Sequence, residues 1–475
     1  MQDKLFIKKG QQIELDIESL AYGGQGVARV DDFVVFVNGA IPGQKVKALV
    51  IRKKKSYAEA RLIEIKQQSP LAAEPRCIHF GFCGGCRLQN LNYGEQVKAK
   101  GAQVDDILRR LGGLKDFELY PAVPSENSYY YRNKMEFSFS RNRWLTPEEI
   151  KSDQTFEQNA HYLGFFARGF YDKVIDLQEC HLIHPVAVQI LDVVRKIARD
   201  SNRPVYSTAD HRGFWRFLIV RPSRLTTDLM VNVVTSEYDQ KIADILRTKL
   251  MKEFPQISSL INGVTRSKSS VAFSEEEHLL AGNPTITEKI GYYSFIISAN
   301  SFFQTNTLQT KRLYDIALEY ADFDGDELVY DLYCGAGTIS IYISSYVDKV
   351  VGFESVEAAI LNAKENCTIN SIKNCEFVLG DLKDGLDQTE RIIERYGQPD
   401  VIILDPPRGG MHPKTVRAVL ALDPKKIVHV SCNPTTMARE LQVLCESNYR
   451  LIQVQPVDMF PHTAHVEAVA QLVRR

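Results

Sequence analysis

Leu328-Val329-Tyr330-Asp331-Leu332-Tyr333-Cys334-Gly335-Ala336-Gly337-Thr338 reads as an apolar strand that ends in a glycine loop. Glycines at a strand end permit a tight turn and a close approach of backbone to ligand. Further strand-like runs follow at 349–353, 376–379, 399–404 and 426–431, alternating with helical patterns. That rhythm predicts an open, Rossmann-like α/β sheet over the C-terminal part of the chain.

Acids punctuate the same strand ends. A carboxylate at Asp331 is awkward for a pyrophosphate but suits the cationic methionine end of S-adenosylmethionine. Glu354 closes the next strand, 23 residues on, where a carboxylate can accept both ribose hydroxyls. Asp381, after Val378-Leu379-Gly380, falls near an adenine. Just upstream, Asn300-Ser301-Phe302-Phe303-Gln304-Thr305-Asn306 offers amides for the polar end of a cofactor or base, and aromatic rings for a wall. The strict dinucleotide fingerprint is absent, which disfavours nicotinamide and flavin.

Two later runs carry the chemistry. Val401-Ile402-Ile403-Leu404 ends at Asp405-Pro406-Pro407-Arg408, and Lys426 to Val430 ends at Ser431-Cys432-Asn433-Pro434. A cysteine after a strand of an α/β sheet lies on the ligand-binding edge, and its thiolate is a strong nucleophile. Carbon 5 of uracil is too weakly nucleophilic for direct methylation. Thiolate addition at carbon 6 would make an enolate that attacks the sulfonium methyl. A base would then remove the carbon-5 proton, and elimination would release Cys432. Within Phe460-Pro461-His462-Thr463-Ala464-His465-Val466-Glu467, Glu467 is the expected base. Asp405 suits the imide edge, because uracil N3–H needs an acceptor.

The N-terminal region differs in kind. Residues 5–67 read as short strands and turns with no helix, a small oligonucleotide-binding-like β-barrel. Residues 1–100 hold 16 Lys/Arg against 10 Asp/Glu, a net of +6, which leaves −7 on the other 375. Lys45, Lys47, Arg52, Lys53, Lys54, Lys55 and Arg61 concentrate this charge, as a polyanion-binding surface would. Residues 123–283 mix strands with a helix over Val186 to Ala198, an α+β middle region. Nine cysteines in 475 residues are too sparse and odd in number for a secreted disulfide scaffold. Met1 to Gly10 is polar and charged, and there is no long apolar stretch. The expectation is a cytoplasmic protein without a membrane span.

Cys77-x5-Cys83-x2-Cys86 places three thiols in a Pro/Gly-rich stretch, and Cys180 is the leading candidate for a fourth. Four thiolates can bind a [4Fe–4S] cluster or a tetrahedral zinc, and spacing leaves both open.

The motifs around Asp405, Cys432 and Glu467, taken together, resemble the RNA m5U methyltransferases of the bacterial 23S rRNA (uracil-5-)-methyltransferase family, over essentially the whole chain. The resemblance implies a TRAM β-barrel over 1–68, an iron–sulfur segment over 69–92 and a linking helix over 93–122. A central α+β domain contributing Cys180 would follow over 123–289, then a methyltransferase domain over 290–475. It implies Cys432 as nucleophile and Glu467 as proton acceptor. Gln304, Tyr333, Glu354 and Asp381 would surround S-adenosylmethionine, with Asp405 at the target base. Cys77, Cys83, Cys86 and Cys180 would ligate a [4Fe–4S] cluster. The implied partner is RNA, with 23S rRNA ahead of tRNA and no obligate protein partner. A DNA cytosine-5 enzyme is disfavoured by the Ser431-Cys432-Asn433-Pro434 context. A non-catalytic RNA-binding or assembly factor would leave Cys432 and Glu467 unexplained. Residues 141–160 read as a polar loop or insertion.

Overall fold

The computed structural model describes residues 7–152, 160–380 and 386–475. At the N-terminus, six strands form one curled sheet: β1 (Gln12–Asp16), β2 (Ser19–Leu20), β3 (Gly26–Val30), β4 (Phe33–Asn38), β5 (Lys45–Lys53) and β6 (Tyr57–Gln67). Their order is β1-β5-β6-β4-β3-β2. Alternation along β1 and β5 turns Ile13, Leu15, Val46, Ala48 and Val50 inward onto Val35, Val37, Ala58 and Ala60. Outside this core, Leu20 and Ile41 pack on Leu88 and Leu91 of the cysteine-rich segment.

Helix α1 (Tyr93–Asp106) follows and ends in a π turn over Ile107–Leu111. The short strand β7 (Glu118–Leu119) then joins the far edge of the C-terminal sheet. The middle region holds β8 (Met135–Ser140), β9 (Asn142–Arg143), α2 (Pro147–Lys151), β10 (Tyr162–Phe166), β11 (Lys173–Asp176), α3 (Val186–Asp200), β12 (Trp215–Pro222), β13 (Leu229–Thr235), α4 (Gln240–Glu253), β14 (Ser259–Val264) and β15 (Glu276–Gly282). Its eight strands run β15-β14-β13-β12-β8-β10-β11-β9. Within 141–160, expected as a polar loop or insertion, lies the short helix α2. Thr146 caps α2, its hydroxyl accepting from the Glu149 N–H while the Glu149 carboxylate takes the Thr146 N–H. Proline at the first helical position pre-sets the turn. Residues 153–159 lie outside the described residues.

The hairpin β16 (Thr285–Ile290) and β17 (Tyr293–Ser298) leads into α5 (Thr307–Ala321) and the alternating region. There follow β18 (Leu328–Leu332), α6 (Thr338–Ile343), β19 (Lys349–Glu354), α7 (Glu357–Ile369), β20 (Cys375–Leu379), α8 (Leu386–Tyr396), β21 (Val401–Leu404), α9 (Pro413–Leu422), β22 (Lys426–Ser431), α10 (Pro434–Glu446), β23 (Tyr449–Val457) and β24 (Glu467–Arg474). The sheet order is β20-β19-β18-β21-β22-β24-β23-β7. The strands β18 to β22 are mutually parallel, whereas β24 is antiparallel to both β22 and β23.

Strand alternation divides the side chains between two cores. Val329, Val350, Ile403, Val428 and Val469 pack under α5, α6 and α7. Tyr330, Leu332, Val351, Ile402, Leu404 and Ile427 face α1, α9 and α10. Helices on both faces explain the nearly unbroken apolar runs of these strands. Among the described residues, no helix is long and apolar enough to cross a membrane.

Candidate active site

One sheet edge gathers the predicted residues. Tyr333 follows β18, Glu354 ends β19, Asp405 follows β21 and Cys432 follows β22. These are the carboxyl ends of four parallel strands, where open α/β sheets bind ligands. Glu467 begins a strand instead of ending one. Because β24 runs antiparallel to β22, with Ala468 opposite Ser431, its first residue reaches that same edge.

Local chemistry fixes each loop. Tyr333 adopts a left-handed φ of 70°, costly for a bulky side chain, at the step from strand to glycine loop. The Glu354 carboxylate accepts N–H groups from Gly335 (3.2 Å) and Val356 (2.9 Å), so it already braces the loop. Asp331 is fully buried. One of its oxygens takes the Ser340 hydroxyl at 2.5 Å, and the other lacks a protein partner among the described residues. Burial pushes its carboxyl up to about 6. Asp381 lies outside the described residues.

The Ser-Cys-Asn-Pro turn is a helix start. The Asn433 side chain caps α10 by accepting the Thr435 N–H (3.1 Å), and Pro434 occupies the first helical turn. Its amide also donates to the Arg408 carbonyl (3.0 Å), tying this turn to the loop after β21. Glu440 of α10 accepts the Met411 N–H (2.6 Å) and pairs with the buried His429 (2.7 Å). Gly410, at φ 78°, is required beside it, because an added Cβ would lie 2.2 Å from that carboxylate.

Glu467 is almost fully buried, and its Oε2 has no protein partner among the described residues. Burial pushes its carboxyl up, and Asp405 nearby raises it further. Burial also raises Asp405, with Asp331 adding to the effect and a hydrogen bond from the Gln304 amide opposing it. Gln304 therefore bridges toward the Asp405 side of the pocket. Asn133 holds its segment, donating to the Gln304 carbonyl (2.9 Å) and the Thr307 hydroxyl (2.8 Å). The Cys432 thiol is half-buried. Burial, Glu467 and Asp405 push it up to about 11, while Arg408 pulls the other way. Arg408 in turn contacts the His465 ring, 2.5 Å from Nδ1. Burial and the surrounding cations push His465 down to about 4, leaving a neutral ring to accept from the guanidinium.

Sequence reasoning missed the scaffold behind the loop 458–467. Lys100 of α1 is buried and donates to Asp458 (2.6 Å) and the Phe460 carbonyl (3.0 Å). Gln96 accepts the His462 N–H (3.0 Å), where the backbone turns left-handed at φ 64°. A usable signal exists: Gln96, Lys100 and Gln103 all lie on the buried side of α1, a face that ordinarily carries apolar residues.

Cys77, Cys83, Cys86 and Cys180 line one cavity of about 670 Å³, together with His79, Arg132, Phe302 and His465. The chain thus brings Cys180 back to the N-terminal three. Burial raises all four thiols, those of Cys77 and Cys86 to about 12 and that of Cys83 to about 11. Among the described residues, no three His, Cys, Asp or Glu side chains are arranged to hold a single metal ion. On the barrel, Arg52, Lys53, Lys54 and Lys55 are exposed at the β5–β6 turn.

Residues 219–475 match the tRNA (uracil-5-)-methyltransferase family, and residues 8–63 match the TRAM domain. An uncharacterised RNA methyltransferase of Porphyromonas gingivalis is 42% identical over 97% of this chain and 99% of its own length. One from Chlorobaculum tepidum is 39% identical over 99% and 98% respectively. The crystal structure of Pyrococcus abyssi tRNA (uracil-54, C5)-methyltransferase in complex with S-adenosyl-L-homocysteine superposes with a TM-score of 0.74 at 29% identity. It covers 97% of this chain and all of that one. A doubly covered parallel sheet with its polar loops on one edge, joined to such whole-length similarity, makes the chain a TRAM-bearing member of the S-adenosylmethionine-dependent RNA (uracil-5-)-methyltransferase family.

Proposed function

We propose that the protein forms 5-methyluridine in 23S rRNA through a transient bond between Cys432 and carbon 6 of the target uracil. The observation that carries this reading is the meeting of Cys432, Asp405 and Glu467 at the ends of neighbouring strands, beside the cofactor loop. S-adenosylmethionine supplies an electrophilic methyl as a sulfonium. Glu354 and Tyr333 would position its ribose and adenosine side, and Gln304 its edge nearest the base. Asp331, with one unpartnered buried oxygen, would face its cationic end, and Asp381 its adenine.

The Cys432 thiolate adds to carbon 6 and pushes electron density onto carbon 5, which takes the methyl. Asp405 accepts the uracil N3–H and fixes the ring's edge. Glu467 removes the carbon-5 proton, and the electron pair expels the cysteine sulfur. Burial and the neighbouring Asp405 raise Glu467, so its carboxylate holds a proton more readily than an ordinary one. A duplex cannot present carbon 6 to a recessed thiol, so the uridine must leave its stack.

Cys77, Cys83, Cys86 and Cys180 would hold a [4Fe–4S] cluster. Four thiols around one cavity suit a polynuclear centre, because a single zinc needs all its sulfurs about 2.3 Å from one point. Methyl transfer consumes no electrons, so the cluster would serve as a clamp or an RNA-facing element.

The motif resemblance supports 23S rRNA. A tRNA target is the second reading, supported by the Pyrococcus abyssi enzyme, whose similarity spans barrel and catalytic sheet alike. Mapping 5-methyluridine in total RNA from cells with and without the gene decides between them. Loss of one or more 23S positions is the expected result. Loss confined to tRNA would replace the target, and no loss in any RNA would overturn the activity.

A further inference from the structure

The barrel reaches the reaction pocket. Its β2–β3 turn, Ala21 to Gln25, is fastened from two sides. Gln103 of α1 donates to the Leu20 and Ala21 carbonyls (3.2 Å each), and Arg87 donates to the Gly23 carbonyl at 2.9 Å. The Arg87 N–H itself donates to the His462 carbonyl at 2.8 Å. Gly24, at φ 81°, sits so close to the loop that its Cβ position is 3.4 Å from the Ala464 Cβ.

This anchoring fixes Tyr22 against the catalytic sheet. Its ring packs on the core that contains Val466, yet it is only half-buried. Arg408 and Cys432 are the charged or ionisable neighbours of its phenol. Its hydroxyl has no hydrogen-bond partner among the described residues. A tyrosine that served packing alone would bury its ring or satisfy its hydroxyl within the protein.

We infer that Tyr22 is a wall of the substrate pocket, its ring stacking on a nucleobase that enters beside Cys432. The barrel would then complete the pocket besides lending affinity for RNA. This rests on the proposed uridine chemistry at Cys432.

The test uses the full-length protein, labelled S-adenosylmethionine and total RNA from cells lacking the gene. Tyr22→Ala and Tyr22→Leu should each raise KM for RNA by about 5- to 100-fold, the range expected for losing one base–aromatic stack. Tyr22→Phe should stay within about twofold of the parent, and cofactor affinity should not change in any variant. Leucine keeps the apolar packing, so it decides the matter if the alanine variant does not fold. Unmodified protein provides an independent measure, since 4-thiouridine-substituted rRNA and tRNA transcripts should photo-cross-link to the peptide carrying Tyr22. Parental KM in the leucine variant, or cross-links confined to the Phe460–Glu467 segment, would overturn the inference. If Cys432→Ala keeps full methylation, the uridine chemistry itself fails, whatever Tyr22 does.

Discussion

Cys432 and the four-cysteine cavity place the same side chain in opposite settings. Cys432 follows a strand that hydrogen bonds on both sides, between two charged motifs; burial first, then Glu467 and Asp405, push its thiol up, and Arg408 pulls it down. Cys77, Cys83, Cys86 and Cys180 sit in irregular chain; burial is again the first cause of each raised thiol, but around Cys77, Cys83 and Cys86 the raising neighbours include other sulfurs of the set. One sulfur is placed so that a substrate can meet it. The others are placed around one shared cavity.

The sharpest way to separate the two settings is to remove one sulfur from each. Cys432→Ala should lower methyl transfer by about 10⁴-fold or more, as loss of a nucleophile does. Bound iron and the melting temperature should stay at parental values. Cys180→Ser should do the reverse: iron and sulfide after anaerobic purification fall away and the melting temperature drops, while iodoacetamide still labels Cys432. If both variants lose iron, the two settings are not independent.

Glu467→Gln should slow turnover by about 10²- to 10⁴-fold as a lost base. Gel analysis of the stalled reaction should then show a protein–RNA adduct. The same variant removes a negative neighbour, so alkylation of Cys432 should reach half its maximal rate at a lower pH than in the parent. In the parent, the thiol lies near 11, and only its deprotonated form reacts. The alkylation rate should therefore climb by about tenfold per pH unit from neutrality upward. A rate flat across that range would place the thiolate already at neutral pH.

Two quieter substitutions test the frame around Cys432. Lys100→Ala leaves Asp458 buried without its cation and should cost about 3–5 kcal/mol by denaturant titration of the catalytic region. Gly410→Ala forces a Cβ into Glu440 at a left-handed position and should cost about 1–3 kcal/mol.

Much of the catalytic edge was legible because its cues are local. A parallel strand buried on both faces is a continuous apolar run, and the glycine loop, Asp405 and Cys432 each follow one directly. The hairpin of β23 and β24 was not legible. Pro456 lies inside β23, one residue before its end, and proline ordinarily argues against a strand interior. Yet that hairpin is what turns Glu467 back to the edge. The Gln96–His462 contact joins residues 366 positions apart, a pairing that no periodicity encodes. The cysteine spacing disclosed three thiols close together but not the cavity they share with Cys180, because Cys180 arrives through the folding of the whole middle region.

Arg87 grips the barrel turn with its guanidinium and the catalytic loop with its main chain, while standing next to Leu88 in the cysteine-rich segment. Three distant stretches of chain thereby share one fastening. Local opening there should be a single cooperative event. Deuterium would enter the amides of Gly24, Arg87 and Leu88 at a common rate, and charge-neutral replacement of Arg87 would let those rates diverge.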